Sequence, residues 1–125
     1  MANVDPTAGT VGTWTPLTST LPQQLLGLSA TVYNGYPYVA GGLTRGALPS
    51  SAVYSAPINV DGTLGSWTTA TNALPTATAF GSMFAFGGKL YFITPRFLLL
   101  GGQVFTRASG LGGTLSNAVH VYSAP

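Results

Sequence analysis

Residues Gly9-Thr10-Val11-Gly12-Thr13-Trp14-Thr15 return as Gly62-Thr63-Leu64-Gly65-Ser66-Trp67-Thr68, 53 positions further on (9 to 62). The same displacement carries Leu21-Pro22 onto Leu74-Pro75 and Ser29 onto Ser82. It also carries Tyr33-Asn34-Gly35 onto Phe86-Gly87-Gly88, and Tyr38-Val39 onto Tyr91-Phe92. One ungapped offset held that long marks an internal duplication, and a period of this size belongs to stacked or radial repeat architectures. The register then breaks. Val53-Tyr54-Ser55-Ala56-Pro57 returns as Val121-Tyr122-Ser123-Ala124-Pro125, 68 positions on (53 to 121), so the second unit carries 15 extra residues (68 − 53). The chain therefore reads as a single domain of two repeats, about 9–61 and 62–125, the second with an insertion around 95–113.

Local patterns inside the repeat are all β. Leu28, Ala30 and Val32 alternate with Ser29, Thr31 and Tyr33, the period-two pattern of a half-buried strand. Asn34-Gly35 follows, a hairpin turn signal because both positions favour positive φ. Tyr36 to Ala40 is the return strand, with Pro37 near its start, where a missing N–H donor is tolerated. Ala52 to Ser55 and Gly65 to Thr68 supply a third and a fourth short strand. The second unit repeats the hairpin as Ser82–Phe86, Gly87-Gly88 and Lys89–Ile93. No amphipathic helical period occurs, and Gln23 to Leu26 amounts to one turn at most.

Four short strands per fifty-odd residues, punctuated by glycine pairs and a tryptophan, form the pattern of a propeller blade. The pattern resembles kelch-type repeats of the degenerate bacterial and phage kind. The resemblance rests on Tyr38-Val39-Ala40-Gly41-Gly42, Val53-Tyr54, Trp67 and Leu74-Pro75. It implies an all-β fold of two four-stranded propeller-type blades. The second unit departs from the pattern: Thr94-Pro95 stands where the glycine pair belongs, and Gly101-Gly102 comes seven residues late. An elongated or bulged second strand is expected there.

Propellers close with typically four to eight blades, so two blades leave apolar faces uncovered. The phase of the repeat adds to this. Gly12 to Leu17 reads as the last strand of a blade, and Val119 to Ser123 as a third strand lacking its outer neighbour. Closure between chains is expected through Trp14, Val119, Val121 and Tyr122, and three chains would give six blades as a homotrimer. A compact β-sandwich with internal duplication, or a fragment, is the competing architecture.

The chemistry is defined by scarcity. Charged residues make up 5% of the chain, namely Asp5, Asp61, Arg45, Lys89, Arg96 and Arg107, and there is no cysteine. Such a surface desolvates cheaply and suits a chain packed against other subunits. Four scattered basic residues offer few phosphate contacts, which argues against nucleic-acid binding. The longest strongly apolar run, Phe97 to Leu100, is far shorter than the ~20 residues of a membrane span, and the first ten residues lack signal-peptide features. One histidine and two aspartates give no credible metal site, catalytic triad or carboxylate pair. Asp5 is placed in a loose N-terminal segment and Asp61-Gly62 in a turn; His120, between Val119 and Val121, reads as a strand imidazole. Gly87-Gly88-Lys89 reads as a hairpin turn, since it lacks the spacing of a phosphate loop. No cofactor is implied.

These features lead to the expectation of a non-enzymatic, self-associating structural protein. A virion component such as a capsid decoration (cement) protein, or a tail or fibre part, is favoured, at a virion or extracellular surface. Arg96, Phe97, Leu98, Leu99 and Leu100 in the insertion are the expected contact with another structural protein; an extra hairpin extending the second blade is the equal alternative. The rival class is a carbohydrate-binding lectin of the oligomeric two-blade type, with Trp14 and Trp67 as sugar-stacking platforms. Against it stands the scarcity of acidic partners for sugar hydroxyls. Packing residues are the simpler reading of Trp14, Trp67, Tyr54 and Tyr122.

Overall fold

In the computed structural model, residues 1–93 are described in full, and three later segments are described as strands by their backbone pairing. In chain order the strands are β1 (Val4–Asp5), β2 (Thr10–Val11), β3 (Ser29–Tyr33), β4 (Tyr36–Ala40), β5 (Val53–Ser55), β6 (Thr68–Thr69), β7 (Ser82–Phe86), β8 (Lys89–Ile93), β9 (Leu98–Leu100), β10 (Gln103–Phe105) and β11 (Val119–Ser123). Among the described residues there is no helix, and every strand pairing is antiparallel. The first large sheet is a meander in the order β3-β4-β5-β6; the second runs β11-β8-β7.

The duplication is visible in the backbone. Ser29 pairs with Ala40 and Tyr33 with Tyr36 in one hairpin; 53 residues on, Ser82 pairs with Ile93 and Phe86 with Lys89 in the other. The turns match in dihedral angle: Asn34 and Gly35 have φ of 48° and 77°, Gly87 and Gly88 of 56° and 76°. Both central residues of such a two-residue turn must be left-handed, which is why Asn and Gly occupy them. β8 has the five residues of β4 and pairs with β7 without a bulge up to Ile93; the lengthening expected beyond it lies outside the described residues.

The core lies between the two large sheets. Tyr38, Ala40 and Val53 from the first pack with Met83, Leu90 and Phe92 from the second, and Leu74 joins them. Phe92 is buried to 1% exposure, and burying such a ring stabilises by about 1.5–3 kcal/mol. Gly81 beside it is small by necessity: a methyl group there would collide with the Phe92 ring.

The face assignment of β3 differs from the alternation reading. Ser29 is buried at 8%, with Thr31 and Tyr33 half-buried beside it, whereas Val32 is 61% exposed and Ala30 is also open. The second sheet covers the Ser29–Thr31–Tyr33 side because that side is continuous with Tyr38, Ala40 and Val53 across the ladder. Alternation fixed the period of the strand but not which side the neighbouring sheet would take.

A crossing segment, residues 72–80, links β6 to β7 and ties the sheets together by main-chain bonds. Leu74 N–H donates to Ser51 O at 2.8 Å, Thr78 N–H to Ser50 O at 3.0 Å, Gly42 N–H to Thr78 O at 2.8 Å and Phe80 N–H to Gly27 O at 2.7 Å. Residues 19–27 are its counterpart in the first unit. Phe80 has φ of 58° where the first unit has Gly27 at 64°, so the duplication keeps a left-handed corner even when the residue is a phenylalanine.

Candidate functional site

The described residues offer surfaces rather than a catalytic cleft. The outer face of the second sheet presents Phe84, Phe86, Tyr91 and Ile93. Phe86 is 73% exposed, Phe84 45% and Ile93 42%. The Phe84 and Tyr91 rings stack in parallel with centroids 4.9 Å apart. By register, Val119 and Val121 of β11 lie on this same face, opposite Ile93 and Tyr91. Monomers seldom leave a continuous aromatic and aliphatic surface of this kind in water. Among the described residues its only charged member is Lys89, at the hairpin end.

The outer face of the first sheet carries Ala30, Val32, Pro37, Val39 and Tyr54. Val39 and Tyr54 are buried, and the Tyr54 hydroxyl donates to Gln23 Oε1 at 3.3 Å, so residues near 23 cover part of this face. Val32 and Ala30 remain open. Ser19 Oγ fastens the start of the same segment to Gly65 O at 2.6 Å.

The two sheets end differently. In the first, β6 pairs outside β5. In the second, β11 is an edge, with no partner beyond it among the described residues. Val119, Val121 and Tyr122 therefore lie on an open strand edge. Trp14, assigned with them to closure, is 76% exposed and lies in no strand. Gly12 to Leu17 does not form the expected strand within the chain. The N-terminal residues fold back instead: Gly12 N–H donates to Asn3 O at 2.8 Å, Thr15 N–H to Met1 O at 2.8 Å, and the Met1 amino group contacts Thr15 O. Trp14 and Trp67 are not equivalent, since Trp67 is half-buried. The packing reading of the tryptophans thus fails for Trp14 within one chain.

Asp5 is more ordered than its position suggested. Its carboxylate accepts Thr7 N–H at 2.8 Å and Ala8 N–H at 3.0 Å, closing the turn between β1 and β2, and these bonds lower its pKa. Asp61 does the same in its own turn, accepting the Thr63 hydroxyl at 2.7 Å and Thr63 N–H at 2.9 Å, with its pKa also lowered. Both carboxylates are ionised turn formers. Arg45, with Gln24, Leu25, Leu26, Leu43 and Ala47, lines an open cleft of about 370 Å³ that holds no acid or histidine. Among the described residues no three metal-ligating side chains come together, and no helix is long and apolar enough to cross a membrane.

Within the insertion, Leu98–Leu100 and Gln103–Phe105 pair as a hairpin, Leu98 opposite Phe105, in a sheet of their own rather than as an extension of the second sheet. Arg96 and Phe97 lie outside the described residues. His120 sits in β11 opposite Phe92. The sequence signals missed the outer face of the second sheet; Phe84, Phe86 and Ile93 were legible there as the non-core half of two alternating strands. A comparison with protein-family models and with curated proteins finds no match.

Proposed function

We propose that the chain is a non-enzymatic structural protein that assembles with copies of itself as a kelch-like β-propeller, three chains making a six-bladed homotrimer. The observation that carries this reading is the outer face of the second sheet. Phe84, Phe86, Tyr91 and Ile93 form an apolar surface that has no covering layer among the described residues. An exposed patch of large apolar side chains marks an interaction surface. Beside it, β11 has no strand beyond it among the described residues, and such an edge offers main-chain groups for pairing.

A surface with 5% charged residues, rich in Ser, Thr and Gly, suits a subunit held in a larger assembly. A virion component, such as a trimeric capsid decoration protein bound to another structural protein, uses threefold symmetry of this kind. Light scattering on the purified chain tests the reading. A discrete oligomer is expected, and a stable 12.7 kDa monomer overturns it.

The lectin reading keeps one favourable observation, the exposed indole of Trp14. A glycan array on wild type and Trp14→Ala decides between the two. Strong binding that Trp14→Ala abolishes, with the fold intact, replaces the structural role by sugar recognition.

A further inference from the structure

The internal sheet–sheet contact is a template for the contact between copies. Inside the chain, Thr31, Tyr33, Tyr38 and Ala40 of the first sheet face Met83, Ala85, Leu90 and Phe92 of the second, with Tyr33 and Ala85 flanking the shared core. Shifting the first set by the repeat offset of 53 gives Phe84, Phe86, Tyr91 and Ile93, the outer face of the second sheet. Shifting the second set back by 53 gives Ala30, Val32, Pro37 and Val39, the outer face of the first. The two outer faces are therefore the repeat counterparts of the two faces that already fit each other.

Side-chain size changes in compensating directions. Shifted by the offset, Thr31 and Ala40 become the larger Phe84 and Ile93, while Met83 and Phe92 become the smaller Ala30 and Val39, the last of these already buried in its own chain. Volume is exchanged across the contact rather than lost, which is the condition for close packing.

The open edge gives the same pairing by a separate route. β6 borders β5 with Thr68 opposite Ser55 and Thr69 opposite Tyr54. The counterparts of Ser55 and Tyr54 in the second unit are Ser123 and Tyr122, on the open edge of β11; the counterparts of Thr68 and Thr69 are Thr15 and Pro16. Thr15 and Pro16 precede the first sheet in the chain as Thr68 and Thr69 precede the second. A copy whose first sheet covers another copy's second sheet therefore brings its own residues 15–16 to that β11 edge.

We infer that copies associate head to tail, the Phe84–Phe86–Tyr91–Ile93 face of one seating on the exposed Ala30–Val32 side of the next, whose residues 15–16 leave Met1 and extend β11. This rests on the self-assembly proposed above and specifies its geometry. The contact is heterologous, joining two different surfaces, so it gives a ring where its rotation closes and a filament where it does not, and never an isologous twofold dimer.

The test uses two variants of exposed positions, Val32→Glu and Phe86→Glu, in the full chain. Each removes one of the two faces from every copy, so each variant alone is expected to run as a monomer under conditions where wild type is oligomeric. Mixed one to one, the intact Phe86 face of the first meets the intact Val32 face of the second. A species of twice the monomer mass and nothing larger is expected, and its appearance also reports that both variants are folded. If either variant alone still dimerises, each surface pairs with itself and the head-to-tail geometry is overturned, as it is if both remain wild-type in mass or if the mixture stays monomeric. If wild type itself is a monomer, the self-assembly reading falls with it.

Discussion

A methyl group on Gly41 would stand 2.7 Å from the carbonyl oxygen of Thr78, so the first sheet and the crossing segment meet backbone to backbone at this point. Gly41 also has φ of 66°, which an L side chain resists at a cost of about 1–2 kcal/mol. The contact exists because Thr78 O accepts from Gly42 N–H while Thr78 N–H donates to Ser50 O, gripping the segment from both sides.

Gly41→Ala should therefore destabilise the fold by about 2–4 kcal/mol, strain and collision acting together. Gly35→Ala is the control. Gly35 has φ of 77° but nothing within 4 Å of an added methyl, so strain alone, about 1–2 kcal/mol, is expected. Urea unfolding of the two variants separates the terms, and equal losses would show that the approach to Thr78 contributes nothing.

Leu74 and Leu21 are the same residue of the repeat in different surroundings. Leu74 is 4% exposed inside the core between the sheets, whereas Leu21 is only half-buried and lies outside that cluster. Leu74→Ala should cost about 2–5 kcal/mol, and Leu21→Ala under about 1 kcal/mol in dilute protein. Denaturant midpoints at low concentration measure both. A large loss at Leu21 would mean that its own side chain is already packed within the single chain.

The strands were legible wherever one short-range signal determined them. Asn34-Gly35 and Gly87-Gly88 fix both hairpins, because few residues accept left-handed dihedrals, and the strands Tyr36–Ala40, Ser82–Phe86, Lys89–Ile93 and Val119–Ser123 follow at their expected bounds. The sidedness of β3 was not legible. Alanine and valine on one face against serine, threonine and tyrosine on the other suggest a core, yet the second sheet packs on the serine, threonine and tyrosine side and, among the described residues, Val32 is left exposed. Gly12 to Leu17 was misread for a related reason. Its match to Gly65–Ala70 is a match of repeat position, and a strand forms only where another strand lies alongside it. Thr68 and Thr69 have β5, whereas Thr15 meets Met1 instead.

Asp61 should give the fold an acid limb. Its carboxylate is held ionised by the Thr63 hydroxyl and amide, which sets its pKa below the ordinary 3.8. A depressed folded pKa means that this stabilisation is present above the unfolded value and lost as pH falls through the folded one. Asp61→Ala should lower the melting temperature at neutral pH, and the gap to wild type should close as pH falls below 3.8 and through the lowered folded pKa. A gap that persists undiminished in acid would assign the effect to the turn backbone rather than to the charge.

Tyr38 should give the opposite limb. Its ring is 5% exposed in the core, and desolvation first, then the neighbouring Tyr36 and Tyr33, raises its pKa above 10.0. The folded state holds the phenol neutral while the unfolded chain releases the proton at its ordinary value. Stability from this group is therefore complete below pH 10.0 and lost as pH rises through the folded pKa. Tyr38→Phe removes the ionisable group but keeps the ring that packs against the second sheet, so the neutral-pH melting temperature should change little. The fall in melting temperature as pH rises above 10.0 should become shallower in the variant. An identical alkaline slope in Tyr38→Phe would mean that the Tyr38 hydroxyl is hydrated despite its place in the core.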